Sequence, residues 1–218
     1  MAIHLTEIEA RVLGALIEKD ITTPDYYPLS LNAVVNACNQ KNNREPVMNL
    51  EEGAVRQAVD GLQGQRLAGP ARGADSRVTK YEHRIQEVFN FTRGETAILC
   101  VLLLRGPQTL GELRGRTERM FRFEHLDDVQ STLQRLIERD PPIAKILPRQ
   151  PGTKESRYAH LLSGEVASSN SLRDEPSVSI SSSPDSERIV RLEEEVAHLR
   201  GEIGDIKQQL AEFRKQFE

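Results

Sequence analysis

Residues 9–19 read EARVLGALIEK, and residues 95–105 read ETAILCVLLLR. The two segments share little identity, but their order, spacing and polarity agree, and each spaces its apolar residues as a helix does. Two further echoes follow at matching places. VRQAVDGL (55–62) resembles VQSTLQRL (129–136), and SRVTKY (76–81) resembles SRY (156–158). Internal repetition constrains architecture more strongly than any single motif, and the surrounding segments read as two copies of one unit.

In the first copy, LTEIEARVLGALIEKD (5–20) puts Ile8, Val12, Ala15, Leu16 and Lys19 on one face, and Thr6 with Glu9 fits a capping box. PLSLNAVVNACNQ (28–40) is a second helix with Ser30 as N-cap and Leu31, Val34, Val35 and Cys38 as its apolar side. NLEEGAVRQAVDGLQGQRL (49–67) is a third, with Val55, Val59 and Leu62 inward and Asn49 with Glu52 placed to cap it. Extended pieces at 66–69 and 77–83 flank a glycine- and proline-containing turn, which predicts a β-hairpin. The second copy repeats the order. TRGETAILCVLLLRG (92–106) turns Ile98, Val101, Leu102 and Leu104 inward. QTLGELRGRTERM (108–120) is capped by Thr109, and HLDDVQSTLQRLIERD (125–140) lines up Leu126, Val129, Leu133 and Leu136. Residues 143–162 form a hairpin that turns at 148–152. The expected fold is mainly α with small β-hairpins (α+β): two tandem winged helix-turn-helix domains, 1–90 and 91–162.

Residues 163–186 hold ten serines in 24 residues and show no apolar period. Such a segment buries too little surface to offset chain entropy and reads as a disordered linker, spanning roughly 27 Å as a flexible coil. Residues 187–218 carry a heptad pattern through Ile189, Leu192, Val196, Leu199, Ile203, Ile206, Leu210, Phe213 and Phe217. β-Branched residues at a with leucine at d favour a parallel two-stranded coiled coil. The pairs Arg188–Glu193, Glu195–Arg200 and Glu202–Lys207 bring opposite charges together across such a dimer. A homodimer is the expectation; the alternative is a helix that folds back on its own chain.

The net charge of −4 hides an uneven distribution: residues 1–90 sum to −2, 91–162 to +3 and 163–218 to −5. No run of 18 apolar residues is present, so no membrane span is expected, and the first residues lack the pattern of a secretory signal. Two cysteines, Cys38 and Cys100, lie in apolar helical patterns and read as buried free thiols, which suits a cytoplasmic protein. The five histidines form no metal-ligand spacing, and there is no phosphate-cradling glycine loop and no nucleophile elbow. No enzyme, metal or cofactor is expected.

Binding remains. Both hairpins are basic: Arg66, Arg72, Arg77, Lys80 and Arg84 in the first, Lys145, Arg149, Lys154 and Arg157 in the second. The segment 108–122 adds Arg114, Arg116, Arg119 and Arg122, and the long turn before the third helix supplies Gln40, Lys41, Asn42, Asn43 and Arg44. These residues are candidate phosphate contacts to double-stranded DNA. The third helices argue against the usual groove reader. The first opens on Glu51 and Glu52 with Arg56 as its one base, and the second opens on Glu124, Asp127 and Asp128. Two functions are therefore weighed: DNA binding through the wings and the polar turn, or a scaffold that holds another protein. Tyr26 and Tyr27 are expected to pack the entry to the second helix.

The stretch LTEIEARVLGALIEKDITTPDYYPLSLNAVVNACNQKNNREPV (5–47) closely resembles the YceH-like family of bacterial proteins of unknown function. RGPQTLGELRGRT (105–117) and KYEHR (80–84) look like further parts of its pattern, and the resemblance covers about residues 4–162. It implies tandem winged helices in a bacterial cytoplasmic protein. It implies no activity, cofactor or catalytic residue.

Overall fold

The computed structural model describes residues 3–71, 78–149 and 155–164. The serine-rich segment from residue 165, the heptad residues 189–217, and Arg72, Arg77 and Lys154 in the hairpin turns lie outside the described residues.

The first half runs α1 (Glu7–Thr22), β1 (Leu29–Ser30), α2 (Leu31–Cys38), α3 (Glu52–Gly64), β2 (Ala68–Pro70) and β3 (Lys80–His83). A short helix, α4 (Ile85–Phe89), leads into α5 (Arg93–Arg105), α6 (Leu110–Thr117), α7 (Leu126–Ile137), β4 (Ala144–Ile146) and β5 (Tyr158–His160). Three helices and a hairpin thus occur twice, as the repeat predicts. The fold is mostly helical, with two small antiparallel sheets of order β1-β3-β2 and β4-β5.

Local chemistry explains the helix starts. Thr6 with Glu9, Thr92 with Glu95 and Thr109 with Glu112 each form a complete capping box, and Ser30 Oγ accepts from Ala33 N–H. The first two boxes occupy equivalent places in the repeat. The third helix departs from expectation. Its N-cap is Glu51, which makes no side-chain cap bond. Asn49 is too early to cap it because the Asn39 amide holds Leu50, accepting from Leu50 N–H (2.7 Å) and donating to Leu50 O (2.9 Å). Three short elements escape the sequence reading: β1, α4 and a 3-10 turn at Pro24–Tyr26. β1 is only two residues long and exists through pairing with Lys80 and Tyr81 of β3. Of the two tyrosines, Tyr27 packs, its hydroxyl accepting from His83 N–H at 2.6 Å, whereas Tyr26 is exposed.

Burial departs from the one-sided stripe that periodicity predicts. Every residue of α1 from Glu9 to Ile17, and every residue of α5 from Gly94 to Leu104, is buried. The reason is that α1 and α5 pack on each other, the most extensive interhelical contact among the described elements, while α2 and α3 cover α1 and α6 and α7 cover α5. Gly14 permits the approach. A Cβ there would stand 2.9 Å from Leu104 Cδ2 and 3.1 Å from Leu103 Cβ. Cys100, the repeat equivalent of Gly14, contacts it, its Sγ 3.4 Å from Gly14 O. The core is therefore continuous from Leu5 to Leu162, and Leu5 N–H donates to Leu162 O to join the two ends.

Two buried arginines secure the long turn after α2. Arg11 donates to Cys38 O (3.2 Å) and Pro46 O (2.6 Å). Arg44, its side chain wholly enclosed, donates to Ala37 O, Asn43 O and Gln40 Oε1 and forms a two-pronged pair with Glu18 at 2.6 and 3.2 Å. The turn also docks on the second half: Glu45 N–H donates to Leu104 O, and Arg105 donates to Asn43 Oδ1.

Three expected outcomes follow. Gly14→Val should cost about 1–3 kcal/mol by overpacking, whereas Gly53→Ala, in open space on α3, should gain up to about 1 kcal/mol of helix propensity; urea midpoints of the two variants check both. Arg44→Met leaves Ala37 O and Gln40 without their donor and leaves Glu18 with Lys19 at 3.7 Å as its near cation; it should cost about 1–3 kcal/mol, with Glu18→Gln/Arg44→Met recovering part of the loss. His160 is pushed down to about 4 by burial, and its Nδ1 is enclosed without a partner. Its folded pKa lies below the unfolded value near 6.5, so stability is full above that pH and declines as pH falls towards 4, by at most about 3 kcal/mol. His160→Leu should flatten that part of the stability–pH curve.

Candidate functional site, a cationic cleft between the halves

The C-terminal ends of α1 and α5 and the last turn of α6 meet at one place. The cleft there, about 320 Å³, is lined by Glu18 and Thr22 from α1, Asn43 from the turn, Val101, Leu104 and Arg105 from α5, and Arg116, Arg119 and Met120 from the second half. A second cleft of about 280 Å³ shares Glu18, Thr22, Asn43 and Arg119 and extends to Lys19, Gln40, Lys41 and Asn42. Together the linings carry five cations, Lys19, Lys41, Arg105, Arg116 and Arg119, against the carboxylates Glu18 and Glu118. Glu18 is already engaged by Arg44 beneath it.

Cations at helix C-termini complement the macrodipole, so part of this charge has a purely structural reason. Three helix ends supply only about half a negative charge each, or roughly 1.5 in all, which does not cancel the excess. Arg105 records the crowding. Burial lowers its pKa, and the charges of Arg116 and Arg44 push the same way, while Glu45 and Glu18 oppose them. At the edge of the cleft Glu112 bridges Arg157 (3.0 Å) and Arg116 (3.4 Å). Burial disfavours the Glu112 charge, but its bond from Thr109 and the two guanidiniums outweigh that and hold the carboxyl below its usual range.

The structure thus gathers some of the expected contacts and separates others. Lys41, Asn42 and Asn43 are exposed on the turn and share the clefts with Arg116 and Arg119. Arg119 makes no hydrogen bond or ion pair among the described residues. Arg44 is a correction: it is buried and spends its guanidinium on Glu18 and three turn oxygens, so it shapes the site and does not face a ligand. Gln40 accepts from Arg44 and is half-buried. Arg114 is exposed, yet its guanidinium fastens α6 to the carbonyls of Phe123 and Glu124. Arg56 pairs with Glu52 on α3, away from the cleft lining. Arg157 donates to Pro107 O as well as Glu112, and Lys80 is half-buried on β3.

Lys19 and Arg105 are functional candidates that the sequence reading missed. A signal existed: they are the last residues of the two matching stretches 9–19 and 95–105, so the repeat places a cation at the end of both crossed helices. Elsewhere, no group of three or more His, Cys, Asp or Glu side chains suited to a metal occurs among the described residues. Both cysteines are buried and free. Burial pushes the Cys38 thiol up to about 12 and raises that of Cys100 further, so neither is a ready nucleophile at neutral pH. No helix among the described residues is long and apolar enough to cross a membrane.

Comparison with known proteins adds a lineage. Residues 5–153 match a family described as "Protein of unknown function, DUF480". A UPF0502 protein of Koribacter versatilis is 54% identical over 202 residues, covering 91% of this chain and 92% of that one. UPF0502 proteins of Geobacter sulfurreducens and Solibacter usitatus are 52% identical over 221 residues and 51% identical over 215, each across at least 98% of both chains. Relatives of this similarity over nearly the whole length, with a family match across most of the chain, leave one conclusion: the protein belongs to the DUF480/UPF0502 family of bacterial proteins.

Proposed function

We propose that the chain is a non-enzymatic DNA-binding protein, regulatory in character. In this reading each three-helix-and-hairpin unit is a winged helix-turn-helix, and two copies join through the heptads of 189–213. The observation that supports it is the convergence of Lys19, Lys41, Arg105, Arg116 and Arg119, drawn from both halves, on one connected cleft surface. Phosphate contact falls to that surface because the third helices offer little. The exposed faces of α3 and α7 carry Glu52, Asp60, Asp127 and Asp128. Arg56 is neutralised by Glu52, and Arg135 is turned towards Glu95. Binding of this kind is salt-sensitive and weakly sequence-specific, with the basic hairpins as additional backbone contacts.

One observation favours a second reading, a protein-binding scaffold. A groove of about 670 Å³ runs between α4 and the second hairpin, lined by Val88, Phe89, Pro141, Pro142, Ile143 and Leu161 among others, with Val88 40% exposed.

A gel shift of the full chain on mixed duplex fragments, at low and moderate salt, separates the two. DNA binding predicts a shift at low salt, weakened at least tenfold by Lys41→Glu/Arg119→Glu. The slope of log affinity against log salt should fall by about 2, one unit for each phosphate contact removed. Absence of a shift at low salt, or a shift indifferent to that pair, overturns the DNA reading and leaves the apolar groove as the feature to pursue.

A further inference from the structure

We propose that the inner cleft between α1, α5 and α6 is a binding site for a small phosphorylated anion, held by Arg105, Arg116 and Arg119 with Asn43 beside them. Its volume, about 320 Å³, sits at the lower end of the range for small-molecule sites, roughly 300–1,000 Å³, and suits a compact ligand better than a duplex surface does. Part of the donor set is unspent. Arg116 gives Nη2 to Glu112 at 3.4 Å, but its Nη1 is enclosed and has no hydrogen-bond partner, and Arg119 has none among the described residues. Arg105 donates to Asn43 Oδ1 and to no other described residue. Guanidiniums present N–H pairs in a planar fork that matches the oxygens of a phosphate. Crowding like charges in a half-buried cleft is unfavourable when it is empty and becomes favourable when an anion lies among them.

The walls argue for size selection. Val101, Leu104 and Met120 form the apolar part of the lining, so the polar end of a ligand is directed to the arginines. The occupant also bridges the molecule: Thr22 and Asn43 belong to the first half, Arg116 and Arg119 to the second. Binding therefore couples to the packing of α1 on α5 and should raise thermal stability by mass action. The site stands on this geometry whether or not a duplex binds outside it. If one does, ligand and backbone phosphate compete at Arg119, which is common to both clefts.

Inorganic pyrophosphate is the probe. Calorimetric titration of the full chain in low salt should show saturable binding at one site per chain and a rise in melting temperature. Arg105→Gln and Arg116→Gln should each weaken it at least tenfold, and Arg105→Lys should restore part of the affinity. Arg119→Gln removes an exposed side chain without a partner, so it keeps the fold and should weaken binding several-fold. Arg56→Gln, on α3 with Glu52 as its partner and outside the cleft lining, should leave binding unchanged. Lack of saturable binding overturns the proposal. So does binding that Arg119→Gln leaves intact, or binding that Arg56→Gln weakens as much. A duplex titrated in parallel keeps the two ideas apart. Pyrophosphate binding without duplex binding refutes the DNA reading alone, and duplex binding without pyrophosphate binding refutes the small-anion site alone.

Discussion

The close approach of α1 and α5 at Gly14 governs the molecule. Each helix lies under its own half on one side and under the other helix on the opposite side, which is why both are buried around their whole circumference. A residue larger than glycine at position 14 would meet Leu103 and Leu104. Burial on all sides creates a problem for the two glutamates, Glu9 and Glu95, that open the repeat. Both carboxylates are satisfied by the capping boxes, Glu9 accepting from Thr6 N–H at 2.7 Å and Glu95 from Thr92 N–H at 2.8 Å. Charge at a helix start and deep packing are thus reconciled by one local motif used twice.

The same crossing makes the cleft. Because the repeat-equivalent residues Gly14 and Cys100 touch, the equivalent helix ends, Lys19 and Arg105, come to neighbouring clefts. The amide-rich turn is then drawn over them. Arg11 and Arg44 hold it from within, and Asn43 and Glu45 tie it to the end of α5. Much of what makes residues 39–46 unusual is therefore structural: Asn39 closes the turn, Arg44 anchors it, and Gln40 steadies Arg44. What remains exposed is Lys41, Asn42 and Asn43, at the mouth of the clefts.

The repeat was legible because its signals are local. Capping boxes, apolar spacing and turn residues act within a few positions, and among the described residues they placed six of seven α-helices and both hairpins near their observed bounds. What was not legible depends on distant partners. β1 exists only opposite Tyr81 and Lys80, and nothing within Pro28–Leu31 announces it. The two arginines beside Cys38 illustrate the limit best. Arg44 reads as a candidate phosphate contact and Arg11 carries no signal of its own; only the fold shows that both are enclosed and that Glu18, 26 residues from Arg44, is its counter-charge. Single-stripe periodicity also misleads for a helix covered on two sides, since every position then has a buried neighbour.

Net charge is a weak guide for a related reason. The total of −4 is unevenly spread along the chain, and the field at a surface is set by the few charges nearest to it. Within the clefts five cations face two carboxylates, and one of these is bound to a buried arginine. At ionic strengths near 0.15 M, charges more than about 8 Å apart are largely screened from each other, so acid elsewhere on the chain weakly offsets this excess. The acidic leading turns of α3 and α7 carry the opposite sign. In the proposed DNA-binding reading, attraction at the cleft and repulsion at the third helices would together favour the cleft as the surface that a polyanion reaches.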